Sequence, residues 1–129
     1  MIDRIEGGCL CGAVRFAVSG EPLNVVWCHC HSCRKHSGAP VSVFLAVRRA
    51  DFAVSKGDIA RFNSSRGRWR GFCSRCGSTL TCEGEVTSPE VHLHIGSIDE
   101  AAWFAPTRHI FADERLPWLR LREAPEDAN

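Results

Sequence analysis

Eight cysteines stand at positions 9, 11, 28, 30, 33, 73, 76 and 82 of this 129-residue chain, and seven of them are clustered: Cys-x-Cys, Cys-x-Cys-x-x-Cys and Cys-x-x-Cys. Two cysteines one residue apart on an extended strand share a face with Cβ atoms roughly 6 to 7 Å apart, whereas a disulfide needs about 3.8 Å. Such pairs share a metal ion more easily than a bond. The N-terminal stretch MIDRIEGGCLCG has neither the apolar core of a secretory signal nor the acid-poor, Arg-rich face of a transit peptide. A cytoplasmic location is therefore expected, and in a reducing compartment cysteine clusters point to metal rather than disulfides.

The spacing divides the thiols into two sets. Zinc takes four tetrahedral sulfur or nitrogen ligands, and Cys9, Cys11, Cys73 and Cys76 supply four sulfurs from two short pairs far apart in the chain. A closed site of that kind is structural. Gly7, Gly8 and Gly12 around the first pair and Gly77 after the second are expected to make tight turns whose N–H groups point at the thiolates. Cys28, Cys30 and Cys33 are three thiolates with no obvious fourth cysteine, and three protein ligands with one open position is the pattern of a catalytic zinc. Three thiolates around a dication leave a charge of −1, which Arg34, Lys35 and the N-terminus of a helix beginning near Ser32 would offset.

Other residues carry weaker signals. His29 and His31 flank the central cysteines as either a fourth ligand or supporting groups, and Cys82 reads as an inert, half-buried thiol. His92 and His94 alternate with Val91, Leu93 and Ile95, the pattern of a strand with its histidines outward. In RGRWRG, Arg66, Arg68 and Arg70 share one strand face, expected to be solvated; binding of nucleic acid through that face is the alternative. His36 carries no signal of its own.

With 44% hydrophobic and 24% charged residues, the chain has the composition of a folded domain, and its length suits one domain, over 1–122, with a loose acidic tail over 123–129. A formal charge of +1 argues against a protein built mainly to coat nucleic acid, and the apolar runs fall far short of the ~20 residues that span a bilayer. Short strands are expected after Gly12, at Val25 to Trp27, Val41 to Val47, Phe52 to Val54, Ile59 to Phe62, Arg66 to Phe72, Thr79 to Cys82 and Val91 to Ile95. Helix is expected only over Ser32 to Ser37 and Asp99 to Phe104. The fold class is thus mainly β, with antiparallel sheets packed on each other and one or two short helices.

GGCLCGAVRF at 7–16, CHCHSCRKHSG at 28–38, FCSRCGSTL at 72–80, SID at 97–99, and PTRHIF and PW within 106–118 resemble, in order and over nearly the whole chain, the glutathione-dependent formaldehyde-activating enzymes, grouped with centromere protein V. The resemblance implies a small β-tent-like fold, a structural zinc on the first and last cysteine pairs and a labile second zinc on the central three. It also implies the family's named activity, joining glutathione to formaldehyde as S-hydroxymethylglutathione, in reverse a carbon–sulfur lyase reaction. Carried over by position, Cys28, Cys30 and Cys33 would hold the catalytic zinc, and Arg34 and Lys35 would meet carboxylates of a glutathione-like thiol. Two non-enzymatic readings stand beside this one: a zinc module that binds a protein or nucleic acid through Arg66 to Arg75, and a thiol-reactive metal or redox sensor.

Overall fold

Some segments, such as Glu90 to His94, alternate polar and apolar residues, the period-two pattern that buries one face of a strand, and others, such as Val43 to Val47, are apolar throughout, as a strand covered on both faces is. In the computed structural model, which describes residues 4–85 and 87–121, the pattern becomes ten strands and one α-helix among the described residues. The strands are β1 (Arg4–Gly8), β2 (Arg15–Ser19), β3 (Asn24–Cys28), β4 (Ser42–Arg48), β5 (Phe52–Lys56), β6 (Ala60–Ser65), β7 (Arg68–Phe72), β8 (Thr79–Glu83), β9 (Glu90–His94) and β10 (Arg108–Ile110). Helix α1 (His31–Ser37) lies between β3 and β4. The expected tail, 123–129, lies outside the described residues.

Two sheets form. One is three-stranded in the order β1-β2-β5; the other is seven-stranded in the order β10-β3-β4-β9-β8-β7-β6. Pairing is antiparallel as expected, except that the short β10 runs parallel to β3, with Ile110 opposite Cys28. The main core comprises Ile5, Phe16 and Val18 from the small sheet with Leu45, Val47, Val91 and Leu93 from the large one. Successive residues of a strand point to opposite faces, so the same strands send a second set the other way. Register places Arg70 opposite Cys82, Cys82 opposite His92, Phe44 opposite His94, Val26 opposite Phe44, and Ile110 opposite Cys28. This second face carries a smaller cluster in which Val26, Cys28 and Phe44 pack with Cys33 of α1 and with Cys82.

That second face corrects two expectations. His92 and His94 do share the face opposite Val91 and Leu93, but His94 is buried rather than outward, lying against the rings of Phe44 and His36. Arg70 is buried as well, in a strand face expected to be solvated. Gly7 and Gly8 are strand residues of β1, not turn residues. Separately, Asp99 to Phe104 is no α-helix. Asp99 is held by the guanidinium of Arg15, and only a 3-10 turn forms, over Ala101–Trp103. Among the described residues no helix is long and apolar enough to cross a membrane.

The far end of the large sheet is pinned by a buried carboxylate. Glu83 accepts from Arg49 at 3.1 Å, from Arg61 at 2.9 Å and from the Thr81 hydroxyl at 2.9 Å. Burial alone would raise its pKa, but Arg61, Thr81 and Arg49 outweigh burial and hold the carboxyl below its ordinary value. Replacing Glu83 with Gln is expected to cost about 2 kcal/mol at pH 7, below the range for fully buried pairs because the two arginines are partly solvated. A group whose folded pKa is depressed stabilises fully above its unfolded value and loses that contribution as pH falls through the folded one. The wild-type advantage over Glu83→Gln should therefore be constant near neutrality and shrink below about pH 4.5, as denaturant titrations of both proteins would read.

Candidate metal centres

The first site lies where both sheets end together. Cys9 and Cys11 follow β1 of the small sheet, and Cys73 and Cys76 follow β7 of the large one. Their four sulfurs lie within 4.8 Å of one another, with Cys9 to Cys11 at 3.6 Å and Cys11 to Cys73 at 3.9 Å. A tetrahedron with metal–sulfur bonds of about 2.3 Å has edges of about 3.8 Å, so the set fits zinc. Backbone N–H groups already point at the sulfurs: Val14 at Cys9 at 3.2 Å, and Arg75 and Cys76 at Cys73 at 3.3 and 3.5 Å. The turn over Cys73 to Gly77 needs φ +78° at its last residue, the reason a glycine stands there. The Ser78 hydroxyl beside Cys76 brings that thiol down to about 5.

The central three cysteines also converge. Cys28 ends β3, Cys30 is the N-cap of α1, and Cys33 sits in its first turn, where its N–H donates to the Cys30 sulfur at 3.2 Å. The helix stops at Gly38, which adopts the left-handed conformation and donates to the Arg34 carbonyl. All three sulfurs fall within 4.8 Å of one another, and Cys28 to Cys33 is 3.6 Å, again near a tetrahedral edge. Three converging sulfurs, with no fourth donor in the group among the described residues, fit an open site for a thiophilic ion such as zinc. Cys28 and Cys33 are buried, and Cys30 is half-buried at a cavity of about 310 Å³ that Phe44, Ile110, Arg68 and Glu114 also line. A larger cleft of about 750 Å³ runs past Cys9, Arg15, His94 and Asp99, but a single cysteine lines it. Four cysteines, Cys28, Cys30, Cys33 and Cys82, line the smaller cavity.

Arg70 and Cys82 also lie beside these sulfurs, buried where the sequence pattern expected a solvated side chain and a half-buried thiol. The Arg70 guanidinium donates from Nη1 to the Cys33 sulfur at 3.0 Å and from Nε to the Ser64 hydroxyl at 3.0 Å. Bonds from the thiols of Cys28 and Cys82, with further help from Cys30 and Arg70, outweigh burial and hold Cys33 far below the usual thiol range. The same bonds push Cys28 and Cys82 up. Cys82 is thus a buried neighbour of the site, outside the three-sulfur group. One signal for Arg70 was available. The opposite face of that strand holds Gly67, Trp69 and Gly71, and two glycines leave little to bury there. Gly71 is small because the side chain of Thr81, its partner on β8, leans over it: a Cβ would lie 2.1 Å from the Thr81 hydroxyl.

The other candidates fall elsewhere. His29 is fully buried, stacked on His109 at a ring distance of 5.0 Å, with Nε2 2.7 Å from His109 Nδ1. His31 is exposed, and its N–H donates to Glu114 Oε1 at 2.9 Å. Neither ring joins the three sulfurs. His36 shares a hydrogen bond with the Thr79 hydroxyl at 2.8 Å. Arg34 donates to the carbonyls of His29 at 3.0 Å and Glu114 at 2.8 Å, tying α1 to the C-terminal segment. With Lys35 it lines a neighbouring cavity that shares only His31 with the cysteine-lined one.

A family model and one relative among the known proteins name the same family. Residues 4–114 match the family model described as glutathione-dependent formaldehyde-activating enzyme. A Halomonas elongata protein named for that same activity is 32% identical over 134 residues, covering 95% of this chain and 84% of the relative. A Schizosaccharomyces pombe protein named as an uncharacterized lyase is 31% identical over 75 residues, 58% of this chain and 54% of its own length. A crystal structure of a Rhodobacter sphaeroides protein matches with TM-score 0.64 at 21% identity, covering 81% of this chain and 99% of that one, a likeness of fold alone.

Proposed function

The chain belongs to the glutathione-dependent formaldehyde-activating enzyme family, and from that premise we propose that residues 1–122 form one zinc-binding domain acting as a carbon–sulfur lyase on a glutathione-like thiol and a small aldehyde such as formaldehyde. The observation that carries this reading is the incomplete sulfur set, three converging thiols at the edge of a cavity and no fourth donor among them. Cys9, Cys11, Cys73 and Cys76 would hold a structural zinc, and Cys28, Cys30 and Cys33 a second one. Zinc on the central sulfurs would supply a Lewis acid that lowers the pKa of an incoming thiol.

The chain's own residues then divide the work. Cys30, half-buried at the cavity, marks the side from which a substrate approaches, while Cys28 and Cys33 close the floor. Phe44 and Ile110 give the cavity an apolar wall that limits water around the reacting sulfur. Arg68 lines the same cavity and is exposed, so it can meet a substrate carboxylate, the role first assigned to Arg34 and Lys35. In the forward reaction the thiol sulfur forms a bond to the aldehyde carbon and the thiol proton ends on the former carbonyl oxygen. The reverse reaction breaks that carbon–sulfur bond. Binding of nucleic acid through Arg66 to Arg75 loses support, because Arg70 is buried against Cys33.

Cobalt-substituted protein tests this reading. Glutathione should add a thiolate-to-cobalt absorption band, and S-methylglutathione, which cannot form a thiolate, should add none. The band should vanish in Cys30→Ser. Equal binding of both ligands without spectral change would remove thiolate activation.

A further inference from the structure

A site with three thiolates and a divalent ion already carries a charge of −1, and a thiolate entering the open position would bring it to −2. Electrostatics alone therefore favours a neutral fourth ligand over the anionic one that the chemistry needs. We propose that Arg70 is the positioning residue that reverses this preference, as a fixed, buried counter-charge on Cys33 that lets an anion take the open position of the central site. The inference rests on the reading of Cys28, Cys30 and Cys33 as an open metal centre.

Three observations point to Arg70. Its guanidinium is buried at 5% exposure and contacts the Cys33 sulfur directly at 3.0 Å, so neither water nor salt screens it as they would a surface charge. Its position is set from two sides: Nε donates to the Ser64 hydroxyl on β6, and its backbone pairs with Cys82 of β8. It is also the buried cation among the charged groups at this cavity; Arg68 and Glu114, which line the cavity with it, are exposed or half-exposed. A hydrogen bond to a thiolate ligand withdraws charge from that sulfur, which leaves a bound metal more receptive to a further donor. An arginine suits the task because it stays charged even when buried.

The test uses the full-length cobalt-substituted protein with azide as the anionic probe and imidazole as the neutral one, read by the visible spectrum. Arg70→Gln keeps a hydrogen-bond donor and removes the charge, while Arg70→Lys keeps the charge. Wild-type protein should bind azide, and Arg70→Gln should take up cobalt in the same ratio but bind azide and glutathione at least roughly tenfold more weakly, with imidazole affinity changed less than about twofold. Arg70→Lys should recover most of the azide binding. The proposal is overturned if Arg70→Gln binds azide as the wild type does, if azide and imidazole weaken together, or if Arg70→Gln cannot load cobalt while Arg70→Lys can, since Arg70 would then serve site assembly. Wild-type protein that binds imidazole but no azide overturns it without any variant. Arg70-dependent azide binding with no glutathione band would instead sink the thiol chemistry and leave this inference standing.

Discussion

Replacing Cys73 with serine should leave little soluble folded protein, whereas Cys30→Ser should accumulate normally and melt within a few degrees of the wild type. Cys9 and Cys11 follow a strand of the three-stranded sheet, and Cys73 and Cys76 follow a strand of the seven-stranded one, so an ion there would bind the end of one sheet to the end of the other. Structural zinc in small domains contributes apparent binding energies of about 10 to 16 kcal/mol, as large as the whole stability of a typical domain at about 5 to 15 kcal/mol. Cys30 caps a seven-residue helix, and an ion held there would tie that helix only to the end of β3, the strand directly before it. Soluble yield and thermal melting of both variants decide the matter. Equal instability would mean that the central site also holds the fold together.

Gently purified protein should carry close to two zinc ions per chain and, after brief exposure to a moderate chelator, close to one. The difference follows from what surrounds the sulfurs. At the first site four thiols face each other and backbone N–H groups from Val14, Arg75 and Cys76 support them, so although Cys11 and Cys76 are exposed, four sulfurs would leave a chelator no open coordination position. The central three open onto the cavity, where a competing ligand can attach before any cysteine has let go. Metal analysis before and after chelation reads the result directly. A second ion that resists removal would bring in a fourth ligand from the chain, and Cys82, packed with Cys28 and Cys33, is the residue to replace next.

Much of this was legible in the sequence because short-range spacing encodes it. The two cysteine sets, the helix after Cys30 and strands β2 to β9 need only neighbouring residues to be read, and the structure brings both thiol sets together. What could not be read depends on which side of a strand is covered. Alternation put Arg70 with Arg66 and Arg68, and His94 with His92, but no local pattern says that α1 folds back over that face of the sheet. Asp99 has the chemistry of an N-cap, yet Arg15, 84 residues away, takes its carboxylate, and the helix it would have opened shrinks to a single turn. The three-residue β10 was missed for a related reason: parallel pairing to β3 gives Arg108–Ile110 its extended form, and so short a run shows no period of its own.

The two-sided use of the large sheet limits how the chain's length can vary. In β9, Val91 and Leu93 pack into the main core, while His92 and His94 lie on the face that carries the central cysteines. In β8, Cys82 sits on that face between Thr81 and Glu83. A single residue gained or lost inside either strand would turn each side chain beyond it to the opposite face, sending imidazoles into the apolar core and valine into the reactive site. Within these strands a substitution alters one side chain, whereas an insertion or deletion that no bulge takes up alters every one beyond it. Length changes in such a chain are therefore confined to the connections between strands, for example the Gly-Glu-Pro turn at 20–22 and the segment 84–89 between β8 and β9.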